Sequence, residues 1–336
     1  MKRSKMDTKR YPYLALSAAI AWLVVSTVGS AAEGQGPHEV EDLQITILST
    51  MLAERGIGEW GFAALIEADG HRILFDTGRY PDTVLRNAEV MGIDLSGVDE
   101  LVLSHNHSDH TGGLVSMRKA LMAKNPDALS RVHVARGIFW QRLGRPDSYV
   151  QMETRRRQYV ALGGTVVEHD SATEIHPGIW LTGPVPRVHP ERNWGGGGGS
   201  PTRPVLSPDG PVEDNIPESM SLVINTAKGL VVVSGCGHAG IINTLEYAQN
   251  VVRPVQIHAA IGGFHLAAAS DATLEWTAGK LVDIGVENFV GAHCTGLEPV
   301  YRFRQLVDLG RERAVVGAVG ATFSLADGLD PLRIAR

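Results

Sequence analysis

Cysteine is almost missing from this chain: Cys236 and Cys294 are its whole thiol inventory in 336 residues. At most one disulfide can form, and in an oxidising compartment that is the default reading. Both cysteines sit beside histidines in Gly-rich turns (GCGH and AHCTG), so metal-ligand and active-site roles compete with it. Basic charge is also short, with 31 Lys and Arg against 37 Asp and Glu, a formal charge of −6. That balance offers no footprint for nucleic acid or an anionic membrane surface. No G-x-S-x-G nucleophile elbow and no G-x-x-x-x-G-K-[ST] phosphate loop occurs, and no Lys-Ser/Thr follows the glycine run Gly195–Gly199. Internal repeats are lacking as well. The apolar run Tyr13–Val28 has 16 residues, short for a membrane span of roughly 20.

That run has a different use. Lys2, Arg3, Lys5, Lys9 and Arg10 precede it, and Gly29, Ser30, Ala31 and Ala32 follow it as a cleavage-type site. Residues 1–32 therefore read as a signal peptide, with an uncleaved anchor as the alternative. No Arg-Arg pair precedes the run, which favours general secretion over the twin-arginine route, into a bacterial periplasm. Residues 33–336, within a chain of 43% hydrophobic and 20% charged residues, have the composition of an ordinary globular domain with ample core.

Strands are expected at 44–49, 63–68, 72–76, 100–103, 131–135, 165–168, 179–182, 220–225, 230–234, 256–261 and 288–292. Asp69-Gly70 marks a hairpin between the second and third of these. Helical spacing covers 81–91, 112–124, 152–162, 241–250, 272–284 and 299–309. Hairpins come early and strand–helix alternation late, which argues for packed sheets with helices outside. The stretch Trp194–Pro211 (WGGGGGSPTRPVLSPDGP) reads as an irregular loop, either a surface excursion or a mobile lid.

The chemistry is concentrated in LVLSHNHSDHTGGL, residues 101–114. A buried-type strand runs into His105, His107, Asp109 and His110 before a Thr-Gly-Gly. Period-two alternation puts His105 and His107 on one side, and the turn lets Asp109 and His110 face a second position. Four ligand-type residues in six positions point to metal, since packing gives no reason for them. Downstream, His238 after VVVSGCG, His265 after AIGGF and His293 after NFVGA each follow a strand at a Gly-flanked turn.

Through ILFDTG, LSHNHSDHTGGL, VVVSGCGHAGIINTLEYA, IGGFHL and AHCTG, in that order, the chain resembles the metallo-β-lactamase-fold hydrolase superfamily. Within it, the branch related to dihydropterin ribofuranosyl-aminobenzene phosphate synthase is the most similar. The resemblance spans residues 73 to 296 and implies an α/β fold, a four-layer αββα sandwich. It implies two zinc ions, with iron or manganese as other ions such a set accepts. His105, His107 and His238 would hold the first, and Asp109, His110 and His293 the second. His265 would sit over the substrate as donor or proton shuttle, though His265 and His293 could exchange roles. Asp76 would orient the loop carrying His105 and His107. Cys236 stands where many relatives have a bridging Asp, and could ligate or simply pack.

The activity implied is attack by a zinc-bound hydroxide on a small ester, lactone or phosphate-type substrate, with Asp109 orienting the nucleophile. A β-lactamase of the same fold and a non-catalytic metal- or ligand-binding module are the alternatives. An attached flavodoxin-like domain, as a redox di-iron role would suggest, is lacking. The expected partner is a small molecule, with no nucleic acid and no stable membrane contact once the leader is cleaved.

Overall fold

The computed structural model describes residues 36–143, 146–191 and 204–335. The expected leader, residues 1–32, and the Gly-rich part of the expected loop, residues 194–203, lie outside the described residues.

Two large sheets form the frame. The first has eight strands, in the order Gly328–Asp330, Thr322–Ser324, Leu43–Ser49, Ala63–Ala68, His71–Phe75, Glu100–Leu103, Arg131–Ala135 and Thr165–His169. The second has seven: Ala314–Val316, Phe289–Gly291, Ile257–Gly262, Gly229–Ser234, Ser221–Thr226, Ile179–Leu181 and Thr173–His176. In each, an antiparallel part adjoins a parallel part: His71–Phe75 runs parallel to Glu100–Leu103, and Gly229–Ser234 to Ile257–Gly262. Parallel neighbours bring their C-terminal ends to one edge, and the motif residues all follow such ends.

Side-chain alternation divides the core. Leu222, Ile224, Val231 and Val233 face Ile45, Ile66, Ile73 and Phe75 between the sheets. Val223, Leu230 and Val232 point the other way, onto the helices Ile241–Val251, Asp271–Ile284 and Glu298–Leu306. Leu65, Leu74, Leu101 and Leu103 pack likewise against the helices Thr83–Met91, Leu114–Met122 and Pro146–Ala161. Strands buried on both faces read as continuous apolar runs, which is why VVVS and LVL stand out. The result is the expected αββα order. Asp69 and Gly70 both take positive φ, +46° and +84°, the geometry that a two-residue hairpin turn requires.

Two expectations need correction. Residues 204–211 are not irregular: Pro204–Ser207 pairs with Gly210–Glu213 and with Gln141–Arg142 in a small third sheet. Ser207 Oγ accepts from Asp209 N at 3.2 Å and donates to Gly210 O at 2.7 Å, closing the turn. Val205 is buried, while Pro204 opens its strand and Pro211 lies on the edge strand, where a missing N–H costs nothing. The other correction is at the C-terminus, where the periodicity showed no strands. Ala314–Val316 and Thr322–Ser324 nevertheless extend the second and first sheets. Each has three residues, and Gly317 and Gly320 separate them, too short a pattern to carry a period.

Candidate metal centre

The strand Glu100–Leu103 delivers Ser104 and His105 to the edge of the first sheet, and a one-turn helix, Ser108–Thr111, carries Asp109 and His110. The glycines after it are a steric requirement. A Cβ on Gly112 would lie 1.9 Å from Arg79 O, and one on Gly113 would lie 2.5 Å from Thr77 O. The Thr77–Arg79 loop can therefore cross directly over the motif, and Gly112 N donates to Gly78 O at 3.0 Å.

From the second sheet come His238, His265 and His293, each just beyond a parallel strand. Gly235 permits the approach of the two sheets here, since a Cβ would lie 2.1 Å from Ser104 Oγ and 2.6 Å from Asp76 Oδ2. His293 and His265 both hold φ of +47°, and Asp76 holds +58°. Non-glycine residues rarely take this left-handed conformation, and it recurs at sites that over-determine the backbone. His293 N is fixed by Thr50 Oγ1 at 3.0 Å.

The structure brings six of the seven expected residues into two triads. The ligand-type atoms of His105, His107 and His238 lie within 4.8 Å of one another, as do those of Asp109, His110 and His293. His265 joins neither; its ring lies 4.8 Å from that of His238, and it is only partly buried. Of the two arrangements left open by the sequence, this geometry puts His293 in the second triad and His265 outside it.

Supporting contacts orient the rings. Asp76 accepts from Ser104 N at 2.8 Å and Ser104 Oγ at 2.7 Å, and its Oδ2 lies 2.7 Å from His110 Nδ1. Ser104 Oγ is also 2.9 Å from His105 Nδ1. Ser104 and Thr50 had no signal in the sequence, since a lone hydroxyl beside a strand is ordinary.

Cys236 lies between the triads, with its Sγ 3.1 Å from His110 Nε2 and 3.2 Å from Cys294 Sγ. Both cysteines are free and buried, so no disulfide joins them. Burial, reinforced by the hydrogen bond with Cys294, pushes the Cys236 thiol well above its ordinary value.

The side chains of the two triads differ in charge. Burial, then repulsion from His110 and His107, holds His105 well below 6.5, so its imidazole is neutral. His293 is lowered to about 4 by burial, against the pull of Asp109. Burial would lower His110 too, but Asp76 and Asp109 outweigh it and hold it at about 9. Burial opposes the charged form of Asp109, yet His110 and His293 overcome this and keep it ionised. His105 Nε2 is buried with no hydrogen-bond partner, an arrangement expensive without a ligand. Imidazole nitrogens with one carboxylate are a donor set that zinc and its neighbours accept. The residues present fit a pair of metal ions.

The Metallo-beta-lactamase superfamily matches residues 61–204, a span that contains the whole His105–His110 motif. A relative from Methanocaldococcus jannaschii, 7,8-dihydropterin-6-methyl-4-(beta-D-ribofuranosyl)-aminobenzene-5'-phosphate synthase, is 28% identical over 297 residues, 84% of this chain and 97% of its own. A crystal structure of a metal-dependent hydrolase of the beta-lactamase superfamily superposes with TM-score 0.63 at 28% identity, over 84% of this chain and 98% of that one. Zn2+-bound PqqB from Methylobacterium extorquens shares the fold, with TM-score 0.51 at 14% identity, over 84% of this chain and all of its own (100%). By its motif and its fold, this chain carries a metallo-β-lactamase superfamily domain over residues 61–204 and has the metallo-β-lactamase fold.

Proposed function

We propose that this protein is a two-metal hydrolase of a small ester, lactone or phosphate-type substrate. The observation that carries the reading is the pair of triads, His105/His107/His238 and Asp109/His110/His293, each with its donor atoms within 4.8 Å. Zinc bound there would supply Lewis acidity, which acidifies water toward neutral pH and stabilises a developing oxyanion.

The chain's own groups do the rest. Ser104 and Asp76 fix the ring orientations of His105 and His110 through contacts of 2.9 and 2.7 Å. Asp109, kept ionised by His110 and His293, orients the nucleophile. His265 is lowered from 6.5 by burial and is therefore neutral near pH 7, free to accept or donate one proton beside His238. The basic and apolar leader of residues 1–32 supports export to a periplasm, where the substrate would be met.

A second reading rests on one observation: the synthase relative matches over 97% of its length. Synthase-type chemistry on a pterin-like phosphate is therefore the runner-up. The acidic balance of −6 speaks against a nucleic acid substrate. Authentic β-lactam hydrolysis, or metal binding without turnover, are outcomes of the same test.

That test is to purify the chain from residue 33, measure bound zinc, iron and manganese, and screen lactone, phosphodiester, aryl ester and β-lactam substrates beside His107→Ala. Two equivalents of metal with activity on one class, abolished in the variant, is the expected result. Metal-free protein, or activity that survives the substitution, overturns the reading.

A further inference from the structure

Trp60 has no role in the triads, and it is not packed away either. It is 47% exposed, yet its indole lies 4.9 Å from the imidazole of His293, centroid to centroid, with the planes tilted by 59°. His293 Nε2 is in turn 3.3 Å from His110 Nε2 and 3.4 Å from Asp109 Oδ2. The indole therefore stands beside the second triad, while His265 leans on His238 beside the first.

The backbone under Trp60 is firmly held. The buried carboxylate of Glu59 accepts from Ser49 Oγ at 2.6 Å, Arg79 N at 3.0 Å and Tyr80 N at 3.1 Å. On the other side, Gly61 N donates to Glu59 O at 2.9 Å and Phe62 N to Asp109 O at 3.2 Å. A Cβ on Gly61 would lie 2.8 Å from Arg79 N and 2.9 Å from Asp109 O, so the turn sits directly on the loop of the metal motif. The neighbouring side chains Ile57 and Tyr80 are exposed too. Trp60, a large apolar side chain left half in water on a pinned turn beside a polar centre, forgoes burial that the core would give it.

We propose that Trp60 is the specificity-determining platform of this site, stacking a flat aromatic or conjugated group of the substrate beside the second triad. The inference rests on the hydrolase reading and narrows it: small aliphatic esters, lactones or phosphates would be poor ligands, and those with an aromatic portion good ones. Aromatic stacking on a pinned indole gains contact area without ordering a loop on binding.

Binding separates this from catalysis. The full chain is loaded with zinc, its metal content is measured, and the affinities of naphthoate and acetate are compared by calorimetry. Naphthoate should bind more tightly than acetate. Trp60→Ala should weaken naphthoate about tenfold, as loss of a stacking partner does, and leave acetate within about twofold. Trp60→Phe should restore most of the loss, and Trp60→Leu little of it. Unchanged metal content across the variants shows that the centre is intact, and the Phe variant decides the matter if the Ala variant misfolds. Equal weakening of both probes, or no preference for naphthoate in the parent chain, overturns the proposal. Failure to hold zinc overturns the hydrolase reading instead, and is seen before either probe is added.

Discussion

Oδ2 of Asp76 lies 2.7 Å from Nδ1 of His110, and both side chains are completely buried. One carboxylate thus binds the strand end at Ser104 and a ring of the second triad at the same time. It also fixes the orientation of the His110 ring, leaving Nε2 facing Asp109 and His293.

Asp76→Ala should therefore cost metal affinity without removing any ligand. Loss of such an orienting group typically lowers affinity about 10- to 100-fold. Leaving a buried partner unpaired should also cost about 3–5 kcal/mol of stability. Competition against a chromophoric chelator, with a urea titration alongside, reads both; unchanged affinity would show that Asp76 only shapes the loop.

Gly112→Ala adds one methyl group where Arg79 O would be 1.9 Å away. The neighbour is backbone, so something must shift, and overpacking of this kind costs about 1–3 kcal/mol or more. The expected result is a lower urea midpoint together with lost metal, because the shift separates the Thr77–Arg79 loop from Asp109 and His110. A midpoint equal to the parent's would refute the steric account.

The thiols of Cys236 and Cys294, both buried, should be silent toward a bulky disulfide reagent in the native protein. Burial also raises the Cys236 thiol, so little thiolate is present to react. Unfolding in urea without reductant should release two thiols. None appearing would mean that the pair is bonded in the purified protein.

Acid should weaken the far end of the first sheet. His169 is held at about 4 against 6.5, because burial and the nearby His133 disfavour its charged form. Its folded value is depressed, so the unfolded chain takes the proton first; this stability is full above pH 6.5 and is lost as pH falls toward 4. Burial would raise Glu100, but the nearby His133 and a hydrogen bond with His176 hold it at about 2 against 4.5, adding a second loss below pH 4.5. Urea midpoints across this range should fall less steeply for His169→Gln between pH 6.5 and 4. Parallel curves would remove His169 from the account.

The residues that spoke in the sequence did so for separable reasons. Strands buried on both faces, such as Val231–Ser234, announce themselves by continuous apolar runs, and Asp69-Gly70 by a turn that few other pairs allow. The motif His105–His110 was visible because ligand residues crowd a strand end. Thr322–Ser324 was not, because it gains its place only by pairing with Leu43–Ser49, almost 280 positions earlier. Residues 204–211 hide their strands because prolines suggest loops, while edge positions tolerate them. Trp60 was silent for a further reason: its exposure, and the carboxylate that pins its turn, exist only in three dimensions.

Each triad draws on both sheets. His105, His107, Asp109 and His110 follow a strand of the first, whereas His238 and His293 follow strands of the second. A metal ion held by either set would act as a rivet through the sandwich. Its affinity would then measure how well the two halves are docked, and its removal would loosen their seam before it disturbed either half. Substitutions far from the centre, anywhere along the layer of Ile45, Phe75, Leu222 and Val233, could then alter metal occupancy without touching a ligand.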